Sequence, residues 1–85
     1  MTTTPTPDDL REHFAHCVQV LGGVTAASRR LGIDERAIRR FANGQLPVGA
    51  GLLGDTAKAL RALVVEAEAA EGYIAATYES EPKEG

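Results

Sequence analysis

The chain has 85 residues, a net charge of −3, a single cysteine and no tryptophan, which fits one domain with a modest core. One cysteine excludes an internal disulfide framework and fits a reducing cytoplasm, and no apolar run approaches the ~20 residues of a membrane-spanning helix. With 44% hydrophobic and 5% aromatic residues, and no alternating runs joined by hairpin turns, the sequence points to an all-α domain.

Residues 1–6 form a Thr/Pro-rich segment, expected as a flexible tail without the basic and hydrophobic regions of a signal peptide. Thr6-Pro7-Asp8-Asp9 reads as a helix start, with a capping hydroxyl, proline at the first position and acids in the first turn. Leu10, Phe14, Cys17, Val18 and Leu21 fall on one face of that helix, and Gly22-Gly23 ends it. Thr25 is the expected cap of a second helix, which Gly32 stops because glycine takes the left-handed conformation cheaply. Asp34 is the expected cap of a third, in which Ala37, Ile38, Phe41 and Ala42 form an apolar stripe. Asn43-Gly44 closes it, and Pro47 blocks an early restart.

A fourth helix is expected to begin between Leu52 and Asp55, with Leu53, Ala57, Leu60, Leu63, Val64 and Ala67 as its apolar stripe. Gly72 is expected to interrupt it, leaving Tyr73 to Tyr78 as a kinked continuation or a short fifth helix before a polar, frayed end. The expected organisation is therefore a tail at 1–6, a domain at 7–70 and a C-terminal extension at 71–85.

The second and third helices carry the functional signal. Ala27 and Ser28 are small where two helices must cross, and Leu31, Ile33, Ile38 and Phe41 can meet in one core. Arg36, Arg39 and Arg40 sit at i, i+3 and i+4, on a face away from that core. Two short helices around a tight turn, the second with an arginine face, are the layout of a helix-turn-helix. Arginine can bridge guanine O6 and N7 with two hydrogen bonds, or clamp a phosphate. Thr25 and Arg29, at and near the start of the second helix, are expected phosphate contacts as that helix crosses the backbone.

Small Ala27 and Ser28, Leu31-Gly32-Ile33 at the turn, Ile38 and Phe41, and the Asn43-Gly44 stop with Pro47 beyond it resemble the helix-turn-helix of the Cro and phage-repressor family. The resemblance spans roughly residues 8 to 65, and its specific part is Val24 to Pro47. It implies a bundle of four to five helices of the lambda-repressor type, with helix 3 reading the major groove. In such domains the loop after the recognition helix often approaches a phosphate, which implicates Gln45 or the backbone amides near Gly49 and Gly51. Two departures stand out. Ser28 occupies a position where the family more often has alanine, and Asp34-Glu35 places two carboxylates at the start of the reading helix. They shift base contacts toward Arg36, Arg39 and Arg40, or let Glu35 accept from a cytosine amine.

Charge is segregated. Residues 1–23 carry a net −2, residues 24–54 a net +3 from five arginines against Asp34 and Glu35, and residues 55–85 a net −4. An acidic remainder limits non-specific DNA affinity, which suits a selective binder. Val64, Val65, Tyr73, Ile74 and Tyr78 exceed what so small a core needs and are the expected dimer interface, the alternative being a tail that folds back onto helices 1 and 4. A dimer would place two reading helices about 34 Å apart on a palindromic operator.

His13 and Cys17 share an i, i+4 spacing that metals use, but Cys17 lies on the apolar stripe and reads as a core thiol, so no metal is expected. No catalytic constellation or phosphate-cradling glycine loop is present, so neither an enzyme, a cofactor nor a small-molecule ligand is expected. The sequence thus reads as a cytoplasmic, homodimeric DNA-binding regulator of bacterial or phage type. The expectation is a repressor of its own operon, comparable in size and plan to anti-CRISPR-associated regulators or to the antitoxins of toxin–antitoxin pairs. The rival reading is a protein-interaction module, an antitoxin or adaptor acting through its acidic C-terminal helix.

Overall fold

The computed structural model describes residues 6–79. It is all-helical, with no strand among the described residues: α1 (Pro7–Val20), α2 (Val24–Leu31), α3 (Glu35–Ala42) and α4 (Ala50–Ile74), the last passing into a π-helical turn at Ala75–Glu79. None of these helices is long and apolar enough to cross a membrane.

α1 starts as its sequence dictates. The Thr6 hydroxyl accepts from the Asp9 N–H at 3.0 Å, and the Asp9 carboxylate accepts from the Thr6 N–H at 3.1 Å, closing a capping box ahead of Pro7. Phe14, Cys17, Val18 and Leu21 are buried along one face. Gly22 and Gly23, with φ of 112° and 105°, turn the chain back, and the Gly23 N–H donates to the Val18 carbonyl at 2.8 Å.

That turn is sharper than the sequence suggested. α2 begins at Val24 with Gly23 as its cap, so Thr25 lies inside the first turn and caps nothing. Val24 packs against the core, which anchors the restart ahead of Thr25. Gly32 ends α2 with φ of 69°, as expected. Asp34 occupies the cap position of α3 with an extended backbone, but its side chain makes no capping hydrogen bond.

α4 departs most from expectation. It starts at Ala50, because Val48 anchors against the core and Gly49, extended, accepts the Leu53 N–H at 3.0 Å. Its buried positions are Thr56 and Ala59, flanked by half-buried Leu52, Leu53, Leu60 and Leu63, whereas Ala57, Val64 and Ala67 are exposed. The buried face is thus rotated from the expected stripe. Thr56 is accommodated because its hydroxyl donates to the Leu52 carbonyl at 2.7 Å, satisfying its polar group within the helix. Gly72 does not interrupt α4, which runs to Ile74 and then widens. A mid-helix glycine costs about 1 kcal/mol relative to alanine, too little to break a helix in which residues 66–71, just before Gly72, are all alanine or glutamate. The expected boundary between residues 70 and 71 therefore cuts a continuous helix.

The core joins Phe14, Val18 and Leu21 of α1 and its cap to Ala27, Ile38 and Ala59, ringed by Val24, Leu31, Ile33, Phe41, Leu52, Leu60 and Leu63. Phe14 and Phe41 meet edge to face at 6.0 Å. α1 packs on α2, α3 and α4, and α2 packs on both α3 and α4. Beyond Leu63, the remaining residues of α4 are exposed. The radius of gyration is 17.1 Å, against about 12 Å for a compact chain of this length, because α4 projects past the bundle.

Candidate nucleic-acid interface

α3 is held from below by Ile38, fully buried, and by Phe41 against Phe14. The residues opposite, Arg36, Arg39 and Arg40, are all exposed. The turn that fixes α3 against α2 is braced by Ser28, whose Oγ donates to the Ile33 carbonyl at 2.5 Å. At the other end, the Asn43 carboxamide oxygen accepts the Gln45 N–H at 3.0 Å, and Gly44 takes φ of 90°.

The expected contact residues fall into two groups. Arg36 and Arg40 on α3 and Arg29 on α2 are exposed and make no ion pair among the described residues. Arg39 and Glu35 are brought together one turn apart, with Nη2 and Oε1 at 3.4 Å, so the Glu35 carboxylate has a cationic partner within its own helix. Thr25 is exposed in the first turn of α2. Gln45 has an exposed side chain, but its backbone N–H is committed to the Arg40 carbonyl and to Asn43.

Two interactions that sequence reasoning missed shape the electrostatics. Arg30 of α2 grips Glu66 of α4 with both guanidinium amino groups, at 2.6 and 3.3 Å. The hydrogen bond and the charge attraction hold the Glu66 carboxyl below the usual carboxylate range. Glu66 is thus a tether between helices. Arg11 of α1 sits between Asp8 and Glu12, with N–O distances of 3.7 and 3.5 Å, and donates to the Ala42 carbonyl at 3.5 Å, clasping the end of α3. The Arg11–Ala42 and Arg30–Glu66 contacts span 31 and 36 positions, so no local pattern announces them.

Val64, Val65, Tyr73, Ile74 and Tyr78 are between 48% and 65% exposed, so these five side chains are not buried against α1 and α4. They do not share one face: Val64 and Tyr73 are nine positions apart, about two and a half turns, and so lie on opposite sides of α4. Cys17 is in the core, where burial pushes its thiol up, while His13 and His16 are exposed with ring centroids 6.1 Å apart.

A comparison with protein-family models, curated proteins and solved structures finds no match to this chain.

Proposed function

We propose that the chain is a sequence-specific double-stranded DNA-binding transcriptional regulator of helix-turn-helix type. It acts in the cytoplasm as a homodimeric repressor on an inverted-repeat operator, with α3 as the reading helix. The observation that carries this reading is the division of α3 into a fully buried Ile38 side and an exposed side on which Arg36 and Arg40 have no ion pair among the described residues. A rigidly seated helix with free guanidinium groups can place bidentate donors on guanine edges while phosphate contacts hold its register. Arg29 and Thr25 of α2 supply those phosphate contacts, with Gln45 beyond α3. Glu35 restrains Arg39 until a base or phosphate competes for it.

The test is selection of bound duplexes from a random double-stranded pool. An enriched inverted repeat, lost in Arg36→Ala/Arg40→Ala while the circular dichroism stays helical, is the expected result. Failure of the folded wild-type protein to enrich any motif would overturn the reading in favour of a protein-interaction module.

A further inference from the structure

The outer face of α4, turned away from its buried Thr56 and Ala59, is self-complementary when reversed. Ala57, Arg61, Val64, Val65, Glu68 and Gly72 share this side at helical spacing, and all six are exposed. About a point between Val64 and Val65, reversal sets Val64 on Val65, Arg61 on Glu68 and Ala57 on Gly72. Arg61 and Glu68 make no ion pair among the described residues, whereas neighbouring Glu66 is held by Arg30. Val64 and Val65 lie 53% and 65% exposed where the two-fold would pass, and Ala57 and Gly72 leave room for two helices to approach closely.

We propose that α4 pairs antiparallel with α4 of a second copy of this chain. Arg61 meets Glu68 of the partner subunit on both sides of the two-fold, and the valines meet at its centre. A parallel pairing would set Arg61 on Arg61 and Glu68 on Glu68, so charge selects the antiparallel arrangement. This deepens the dimer proposed above. The pairing stands on α4 alone, and only its use to hold two α3 helices on one operator rests on the DNA reading.

The test is sedimentation equilibrium of the full chain without DNA across a range of concentrations. A dimer is expected, weakened about tenfold by Arg61→Glu, which sets like charges together twice, and restored by Arg61→Glu/Glu68→Arg. Both substitutions lie on an exposed face, and circular dichroism checks that the helices persist. A monomer at every concentration, a dimer indifferent to Arg61→Glu, or a loss that the double exchange does not repair would overturn the pairing. Arg36→Ala/Arg40→Ala should leave the mass unchanged. A dimer that selects no DNA therefore sinks the DNA reading alone, and a monomer that selects an operator sinks the pairing alone.

Discussion

Ser28 places a hydroxyl where a crossing of two helices asks only for a small side chain, and the hydroxyl has a use. Its Oγ reaches past Gly32 to the Ile33 carbonyl at 2.5 Å, tying the end of α2 to the turn that aims α3. Replacing it with alanine keeps the packing and removes the bond, which should cost about 1 kcal/mol and lower the melting midpoint by roughly 4–8 °C for a domain of this size. An unchanged midpoint by circular dichroism would show that water replaces the bond without loss. Cys17 makes a second prediction. Burial favours its neutral thiol, so the folded state holds that proton more tightly than the unfolded chain does. Its contribution is complete below the ordinary thiol range and is lost as pH rises through the raised value. Stability measured in urea should therefore fall above about pH 8.5, and Cys17→Ala, though less stable throughout, should show a flatter decline. Parallel curves for the two proteins would assign the alkaline loss to other groups.

Between the helices, two glycines with positive φ carry different burdens. At Gly32 a Cβ meets nothing within 4 Å, so alanine pays only for the left-handed backbone, about 1–2 kcal/mol. At Gly44 the same Cβ would approach Arg11 Cδ at 3.1 Å, and moving Arg11 gives up its clasp on the Ala42 carbonyl. Gly44→Ala should therefore destabilise more than Gly32→Ala in denaturant titrations, and the reverse order would show that Arg11 relaxes freely. These glycines also mark what was legible in the sequence. α1 to α3 were readable because their stops are local: Thr6-Pro7 at one end, then Gly22-Gly23, Gly32 and Asn43-Gly44. α4 was misread because its start depends on Val48 docking at a distance, and because its buried face runs through Thr56, whose internal hydrogen bond hides its polarity from hydropathy. The exposed arginine side of α3 was legible from i, i+3, i+4 spacing. The pairing of Arg30 with Glu66 was not, since only the packing of α2 on α4 brings them together.

Across the whole molecule, that pairing changes the charge available to a polyanion. Residues 24–54 carry a net +3, but Arg30 is engaged by Glu66 and Arg39 by Glu35, which leaves Arg29, Arg36 and Arg40 as the cations of α2 and α3 without an ion pair among the described residues. Each phosphate neutralised in a duplex adds about 0.9 to the slope of log affinity against log salt. If α2 and α3 form the DNA surface, Arg29→Ala should reduce that slope by about one for each half-site bound, whereas Arg30→Ala should leave it unchanged and lower stability slightly by removing the Arg30–Glu66 tether from the α2–α4 contact. The tether also has a pH signature. Because Glu66 is held below its ordinary range, its stabilising effect is present at neutral pH and is lost as pH falls through the lowered value. Glu66→Gln reproduces that loss at neutral pH and frees Arg30, so it should raise affinity for unrelated DNA while reducing stability. A salt slope that falls equally in Arg29→Ala and Arg30→Ala would show that DNA draws Arg30 away from Glu66, and the tether would then be part of the binding surface rather than a brace beneath it.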